Sequence, residues 1–459
     1  MSSRRISSVV RVGSLTIGGD NPIRVQSMTT VSTNDVEGCV EQAKRIIDAG
    51  GKMVRFTTQG TREAHAMQQI SERLKADGYG QPLVADVHFN SNVADVAACY
   101  CEKVRINPGN YIDPARTFKH IEYTDEEYAA ELRRLDERLV TFINICKQHG
   151  TAVRVGVNHG SLSDRIMSRY GDTPEGIVES CMEFLRIFKR EAFDNVVISI
   201  KASNTVVMVR SVRLLVSAMD VEDMHYPLHL GVTEAGEGED GRIKSAVGIG
   251  ALLTEGIGDT IRVSLSEEPE CEIPVARKLV DLIPDCTQLR SEAEGSIKDA
   301  TITLRVEAPD WETMQLKAAM AVGALLIDGK ATKLTIINPQ FASHDLSALA
   351  DNILQAARVK FTKTEYISCP GCGRTLYNLQ QTIRRIKEAT AHIRPMKIAI
   401  MGCIVNGPGE MADADYGYVG AARGKVSLYR GKQCVEMNIP EEEAVQKLLA
   451  LIAADDANQ

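Results

Sequence analysis

The stretch VVISIKASNTVVMVRSVRLLVSAM, residues 196–219, contains the pattern that decides the fold class. Its first five residues are mostly β-branched and typical of a buried strand, whereas the residues from Thr205 onward place apolar side chains at helical spacing. A strand that leads directly into a helix is the repeating unit of proteins with parallel sheets. The fold class therefore depends on how often this unit recurs along the chain.

The same unit recurs through the first part of the chain. The strands that we predict there are residues 23–27, 52–56, 83–86, 103–106, 152–156, 196–200, 228–232 and 260–265. Helical patterns separate most of them, for example at 35–49, 61–75 and 126–149. Eight units in this length fit a closed (β/α)8 barrel of the TIM type better than an open doubly wound sheet. The sequence therefore predicts an α/β protein whose residues 1–265 form the barrel.

Two further regions follow the predicted barrel. Residues 266–362 hold too few elements for a second barrel, but GALLTEG at 250–256 recurs there as GALLIDG at 323–329. This repeat indicates a duplicated helix-to-strand unit, a chance match being the alternative, and we interpret the region as a shortened barrel-like insert. From residue 363 to 459, strand patterns at 364–368 and 397–401, hairpin-like strands and a helical pattern at 441–453 predict a smaller α/β domain.

Composition narrows the class of protein. The 459 residues are 44% hydrophobic and carry a formal net charge of -8, which argues against a nucleic-acid surface. No apolar run of about 18 residues predicts a membrane span, and the first residues lack the apolar segment of a signal peptide. The eleven cysteines show no regular disulfide framework. We therefore expect a cytoplasmic protein with reduced thiols that binds neither nucleic acid nor membrane.

Cations stand where the predicted strands end, at the face where barrels of this type hold their active sites. These cations are Arg55, Arg105, Arg154, Lys201 and Arg262. The polar and acidic residues at or just beyond the same strand ends are Asp86, His88, Asn158, Ser203, Glu234 and Ser264. A single arginine of this kind is more often a satisfied ion pair, but five around one rim favour an anionic ligand. Guanidinium groups match phosphate oxygens in pairs, so we predict a phosphate or diphosphate site.

Three cysteines near the end of the chain point to redox chemistry. CPGCGR contains Cys369 and Cys372 after one predicted strand, and MGCIVNGPGE contains Cys403 after another, with Glu410 seven residues later. A Cys-x-x-Cys pair by itself is equally typical of zinc sites and dithiols. Structural zinc takes four ligands, and no fourth Cys or His lies near Cys403 in the sequence. Three thiolates favour a 4Fe-4S cluster with one iron open to a carboxylate or a substrate.

The motifs, taken together, resemble those of the 4-hydroxy-3-methylbut-2-enyl diphosphate synthase family, reductases of the methylerythritol phosphate route to isoprenoids. The motifs in question are IRVQSMTT, ADVHF, VRINPGN, RVGVNHGSL, IKASN, LHLGVTEAG, IRVSL, CPGCGR and MGCIVNGPGE. The resemblance implies a barrel followed by a cluster domain. It implies that the substrate is 2-C-methyl-D-erythritol 2,4-cyclodiphosphate, reduced by two electrons from flavodoxin or ferredoxin.

The resemblance also implies roles for individual residues. Cys369, Cys372 and Cys403 would bind three irons of a 4Fe-4S cluster, and Glu410 the fourth until substrate displaces it. The residues expected to bind the diphosphate and its surroundings are Arg55, His88, Arg105, Arg154, Asn158 and Lys201. Asp86 and Glu234 would position hydroxyls or relay protons. The short bacterial members are homodimers in which one subunit's cluster domain covers the partner's barrel, so we expect a homodimer. Residues 266–362 are too long for a simple linker, which leaves open whether the cluster domain here covers its own barrel or the partner's.

Two other functions remain open at this point. A thiol-disulfide oxidoreductase would use the CPGC pair alone, which leaves Cys403 and the cationic rim unexplained. A zinc-stabilised, non-catalytic module would use the rim to bind a phosphorylated partner. Iron, sulfide and zinc content distinguish the three hypotheses.

Overall fold

A computed structural model describes residues 4–113, 121–405, 407–411 and 413–457. The chain opens with an antiparallel hairpin of β1 (Val10–Val12) and β2 (Leu15–Ile17). The buried side chains of this hairpin pack against residues at the beginnings of the following strands, namely Met53, Val84, Ala152 and Val197. The hairpin therefore closes the N-terminal end of the barrel with an apolar plug.

Eight parallel strands form the barrel. They are β3 (Arg24–Met28), β4 (Met53–Thr58), β5 (Leu83–Val87), β6 (Lys103–Ile106), β7 (Ala152–Asn158), β8 (Val196–Lys201), β9 (His229–Leu230) and β10 (Thr260–Ile261). Their order in the sheet is β8-β7-β6-β5-β4-β3-β10-β9. A parallel bridge between Ile198 of β8 and Leu228, just before β9, joins the two ends. The predicted (β/α)8 barrel is thus confirmed.

Helices follow the strands and cover the outside of the barrel. They are α1 (Val36–Asp48), α2 (Thr61–Ala76), α3 (Ser91–Ala98), α4 (Asp125–His149), α5 (Asp164–Tyr170), α6 (Pro174–Arg190), α7 (Thr205–Val221), α8 (Gly238–Leu253) and α9 (Glu272–Asp281). Local sequence fixes where several begin. Thr124 and Glu127 form a capping box at the start of α4, and Asn204 accepts hydrogen bonds from two backbone N–H groups of α7.

The middle segment continues the alternation of helices and strands. It contains α10 (Ile283–Gly295), β11 (Thr301–Arg305), α11 (Trp311–Ile327), β12 (Lys333–Ile337) and α12 (Ser343–Ala356). The strands β11 and β12 pair in parallel with each other and belong to a sheet of two strands. The helices α11 and α12 pack on α8 of the barrel. The segment is therefore attached to the barrel through helices rather than through its sheet.

The repeated sequences lie at the crossing of α8 and α11. A Cβ added to Gly250 would lie 2.5 Å from Cγ of Met320, and one added to Gly323 would lie 2.7 Å from the carbonyl oxygen of Val247. Gly250 and Gly323 are equivalent in the repeat, as are Val247 and Met320. Each glycine thus receives the other helix at the equivalent place, because only glycine permits this approach. Each repeat ends a helix that leads into a parallel strand, as predicted.

The C-terminal domain is a five-stranded sheet with helices. Its elements are β13 (Glu365–Ser368), α13 (Leu379–Thr390), β14 (Lys397–Met401), α14 (Gly407–Glu410), β15 (Tyr416–Ala422), β16 (Lys425–Arg430), β17 (Gln433–Pro440) and α15 (Glu441–Asp456). The strands β13, β14 and β15 are parallel, and β15 to β17 are antiparallel. The predicted α/β domain is therefore present. None of the described helices is long and apolar enough to cross a membrane.

The C-terminal domain covers the C-terminal end of the barrel of its own chain. The backbone N–H of Gly373 donates to Oγ1 of Thr57 at the end of β4, at 3.2 Å. The hydroxyl of Ser266, beyond β10, donates to the carbonyl oxygen of Cys369 at 2.9 Å. The sheet of the domain presents the ends of β13 and β14, where the cysteines follow, to the barrel opening.

Candidate active site

A cavity of about 750 Å³, including the part open to solvent, lies between the barrel end and the C-terminal domain. The barrel contributes Arg55, Asp86, His88, Arg105, Arg154, Asn158, Lys201, Glu234, Arg262 and Ser264 to its lining. The C-terminal domain contributes Cys369, Cys372, Arg374 and Cys403. The ends of neighbouring parallel strands meet at one face, which is why residues distant in sequence share this cavity.

Arg105 is held firmly by groups around it. Its Nη1 donates to Oδ1 of Asp86 at 3.0 Å and contacts Nε2 of His88, while its Nη2 donates to Oδ1 of Asn158 at 2.9 Å. Burial, together with the charges of Arg105 and Arg374, lowers the pKa of His88 to about 3. His88 is therefore a neutral hydrogen-bond acceptor. Arg105 uses most of its donors on protein groups, so its main effect is to hold neighbouring side chains of the rim in position.

Arg262 is also paired. Its Nε and Nη2 both donate to the carboxylate of Glu272 on α9, each at 2.9 Å. The hydroxyl of Ser27 donates to the same carboxylate at 2.6 Å. Both charged side chains are almost fully buried. Arg262 thus forms a structural ion pair that ties α9 to the barrel interior.

The cations Arg55, Arg154 and Lys201 have no carboxylate partner among the described residues. Nε and Nη1 of Arg154 are buried without a hydrogen-bond partner in the same part of the chain. Burial lowers the pKa of Arg55 to about 10, although Asp86 opposes this, and burial lowers the pKa of Arg154 and Lys201 well below their usual ranges. An arginine keeps its proton in a protein, so a bound anion would relieve this charge.

Three thiols face these cations from the turns after β13 and β14. The backbone N–H of Gly402 donates to Sγ of Cys369 at 3.2 Å. Burial raises the pKa of the Cys403 thiol to about 12 and also raises that of Cys369. Within the described ranges, no three His, Cys, Asp or Glu residues converge closely enough to hold a single metal ion.

Two glutamates complete the site. Oε1 of Glu410 accepts from the N–H of Gly160 and Oε2 from the N–H of Ser203, both at 3.0 Å, so the carboxylate bridges the two domains. Burial and the charge of Glu410 raise the pKa of Glu234 to about 8. Oε2 of Glu234 is buried and lacks a partner among the described residues. Glu234 can thus hold a proton at neutral pH.

Two family models match the chain. The model described as the GcpE TIM-barrel domain matches residues 7–277, and the one described as the GcpE protein C-terminal domain matches residues 365–454. The first match alone covers more than half of the chain. The chain belongs to the GcpE family. This confirms the family that the motifs indicated.

Several similar proteins carry the name 4-hydroxy-3-methylbut-2-en-1-yl diphosphate synthase (flavodoxin). Those of Bacteroides fragilis and Bacteroides thetaiotaomicron are 50% and 49% identical to this chain, covering 99% and 98% of it and 96% and 98% of themselves. That of Protochlamydia amoebophila is 37% identical, covering 99% of this chain and 96% of itself. The alignment with the first spans 602 positions, more than the 459 residues here, so that relative carries segments that this GcpE-family chain lacks.

In this GcpE-family chain, the structure brings nearly all of the predicted site residues to one cavity. Glu410 and Ser203 are the exceptions, since they pair with each other beside the cavity: the Ser203 hydroxyl donates to the carbonyl oxygen of Glu410 at 3.0 Å. The sequence reasoning missed Arg374, which lines the cavity within the CPGCGR motif. Its position two residues after Cys372 was the available signal, but the sequence does not show where the side chain lies.

Proposed function

We propose that the chain reduces 2-C-methyl-D-erythritol 2,4-cyclodiphosphate to (E)-4-hydroxy-3-methylbut-2-enyl diphosphate in isoprenoid biosynthesis. The observation that carries this proposal is one cavity lined both by three thiols and by cations that lack carboxylate partners among the described residues. The name shared by the relatives supports the product. The cations suit a diphosphate and the thiols suit an electron-carrying group.

The three cysteines fit a 4Fe-4S cluster. Their thiols line one cavity, and Sγ of Cys369 already accepts an N–H hydrogen bond of the kind that tunes such clusters. When bound, a cluster held by Cys369, Cys372 and Cys403 would supply electrons and, at its fourth iron, a Lewis acid. Glu410 would reach that iron by releasing the N–H groups of Gly160 and Ser203.

The remaining residues have roles that follow from their contacts. Arg55, Arg154 and Lys201 would bind the diphosphate, because their charges lack carboxylate partners in the described part of the chain. Glu234 would give the proton at Oε2 to the hydroxyl that leaves as water. The two electrons would open the ring by breaking one carbon–oxygen bond to the diphosphate, whose oxygen keeps the negative charge, and the two carbons that lose oxygen would form the double bond of the product. Asp86 would orient a substrate hydroxyl. The residues that we propose to line and shape the substrate site are His88, Arg105, Asn158, Ser203, Arg262 and Ser264.

Partners and arrangement are part of the proposal. Reduced flavodoxin, which the relatives' names include, would deliver the electrons, with ferredoxin as the alternative. A homodimer and a cytoplasmic location stay predictions. The division at residues 265 and 362 also stays a prediction. The helix α9, which supplies Glu272 to Arg262, lies beyond residue 265.

Anaerobic purification tests the proposal. We expect iron and acid-labile sulfide, broad absorption near 400 nm, and conversion of the cyclic diphosphate to the allylic diphosphate with reduced flavodoxin, followed by mass spectrometry. Stoichiometric zinc without sulfide would contradict the proposal in favour of the zinc-stabilised module. Metal-free protein that reduces disulfides would favour the dithiol oxidoreductase.

A further inference from the structure

Arg374 connects the turn of the cluster ligands to the barrel. Its Nη1 lies 3.4 Å from Oδ2 of Asp86 and its Nη2 donates to the carbonyl oxygen of Asp86 at 3.1 Å. The same Nη1 lies 3.8 Å from Sγ of Cys372. The side chain is nearly buried, with 9% exposed. The guanidinium of Arg374 therefore contacts both a carboxylate of the barrel and a thiol of its own C-terminal domain.

The carboxylate of Asp86 is shared between cations of two domains. Oδ1 accepts from Arg105 of the barrel at 3.0 Å, and Oδ2 faces Arg374 of the C-terminal domain. With both domains in place, each carboxylate oxygen has its own cationic partner. If the C-terminal domain moved away, Oδ2 would lose this partner, and Arg374 would lose its only carboxylate partner among the described residues. The pair therefore favours the docked arrangement.

The backbone around Arg374 is also seated on the barrel. Gly373 donates its N–H to Oγ1 of Thr57 at 3.2 Å, and a Cβ added to Gly373 would lie 3.0 Å from the carbonyl oxygen of Val31. The turn that carries Cys372 is thus positioned, at the residue just before Arg374, by the end of β4 and by the barrel loop that contains Val31. These contacts of Gly373 with the barrel fix the backbone of the turn. They therefore determine where the side chain of Arg374 lies relative to Cys372 and Asp86.

We propose that Arg374 is a positioning residue that couples docking of the C-terminal domain to the charge on Cys372. This rests on the proposed function, since it takes Cys372 as a cluster ligand. A guanidinium beside a ligating sulfur stabilises the more negative, reduced state of the bound group, so it raises the reduction potential. Asp86 holds this guanidinium in its position through the contacts described above. The favourable charge therefore lies beside Cys372 only when the domain is docked.

Three variants test the proposal. Arg374→Met removes the charge and both contacts. Arg374→Lys keeps the charge but lacks the second nitrogen of the guanidinium, Nη2, which donates to the carbonyl oxygen of Asp86. Arg384→Met is the matched control, since Arg384 is exposed on α13 and, within the part of the chain that the structure describes, its side chain donates only to the carbonyl oxygen of Gln380.

The first measurement uses the metal-free protein. Small-angle X-ray scattering should show a larger radius of gyration for Arg374→Met than for the wild type, an intermediate value for Arg374→Lys and no change for Arg384→Met. Equal scattering of all four proteins would overturn the docking role. This result does not depend on a cluster, so it is separate from the proposed function.

The second measurement uses the loaded protein. A redox titration followed by electron paramagnetic resonance should give a lower midpoint potential for Arg374→Met, with Arg374→Lys between it and the wild type. We expect kcat to fall roughly tenfold to a hundredfold, as for other partners that orient metal ligands, with little change in KM. An unchanged potential in Arg374→Met would overturn the coupling. Failure of the wild type and Arg384→Met to bind iron and sulfide would instead overturn the proposed function and, with it, the role of Cys372.

Discussion

Gly409 of the C-terminal domain lies with its backbone against Gly160 of the barrel. A Cβ added to Gly409 would lie 1.7 Å from the carbonyl oxygen of Gly160. Neither glycine has a left-handed φ, so space rather than backbone conformation requires glycine at both places. The contact brings Glu410 to the N–H groups of Gly160 and Ser203. It also sets the distance between the C-terminal domain and the end of the barrel.

Replacing Gly409 by alanine should therefore displace the C-terminal domain. The nearest atoms are backbone, which cannot yield as a flexible side chain would. A shift of about 1 Å between reacting groups costs roughly a hundredfold in rate, so we expect Gly409→Ala to lower kcat by that order. Gly295→Ala is the control, because nothing lies within 4 Å of its added Cβ. Turnover of Gly409→Ala at the wild-type rate would contradict the interpretation of this contact.

Replacing Arg154 by methionine should weaken substrate binding without weakening the fold. Each charge-assisted hydrogen bond contributes about 1.5 to 3 kcal/mol, so the dissociation constant should rise by roughly one to two decades. The free energy of unfolding should not fall, because a buried charge without a carboxylate partner in the described chain is removed. Calorimetric titration with substrate and urea unfolding measure the two quantities. Unchanged affinity would end the assignment of Arg154 to the diphosphate.

Arg262→Met should instead lower the free energy of unfolding. The substitution leaves the buried carboxylate of Glu272 without its cation, which costs about 3 to 5 kcal/mol of stability. We therefore expect a lower midpoint of urea unfolding than in the Arg154 variant. Equal stability of the two variants would mean that the ion pair with Glu272 does not anchor α9.

Replacing Cys403 by serine should remove the cluster and the activity together. Cys434→Ser is the matched control, since Cys434 lies in β17, away from the cavity, and its thiol contacts the carbonyl oxygen of Glu436 and the side chain of Tyr429. Iron and sulfide analysis after anaerobic reconstitution checks both variants. Full iron, sulfide and turnover in Cys403→Ser would disprove the ligand assignment.

Replacing Glu410 by alanine should still allow a cluster to assemble on three cysteines. The cluster should lose its fourth iron more readily, because the replaceable carboxylate ligand is gone. Glu410→Gln separates this role from docking, since an amide oxygen still accepts from Gly160 or Ser203 but is a poorer iron ligand. Electron paramagnetic resonance with and without substrate follows the iron. Spectra and cluster lifetimes identical to those of the wild type would remove Glu410 from the ligand set.

Acid should weaken the junction of the C-terminal domain with α8 of the barrel and with the middle segment. The side chain of Glu365, at the start of β13, is largely buried, which would raise its pKa, but Lys244 and Arg358 outweigh this and lower it to about 2. A carboxyl whose pKa is lower in the folded than in the unfolded state contributes its full stability above its ordinary pKa of 4.5. That contribution is lost as the pH falls toward 2.

Urea unfolding of Glu365→Gln against pH measures this contribution. The variant should be less stable than the wild type near neutral pH, and the difference should shrink as the pH falls below about 4.5. Glu388→Gln, at an exposed position of α13, should show no such difference. A difference between wild type and Glu365→Gln that stays constant down to acid pH would contradict the role of the Lys244 contact.

The barrel strands were predictable because their signal is local. Each is a short buried run bounded by a helix pattern, and observed strands such as β6 (Lys103–Ile106) coincide with the prediction. The middle segment was not predictable to the same degree. Its strands β11 and β12 form a pair on their own, and the segment is attached through Gly250 and Gly323, whose meeting is a long-range contact.

The sequence by itself determined the eight strand-helix units, the cations at the strand ends and the three cysteines that follow strands of a second domain. The tertiary structure decided which cations are already paired: Arg262 with Glu272, Arg105 with Asp86, and Arg154 with no carboxylate of the described chain. It also decided that the C-terminal domain covers the barrel of its own chain, with Arg374 at the join. The reason is that residue type and spacing specify local conformation, whereas charge pairing and domain contact depend on distances between atoms far apart in sequence.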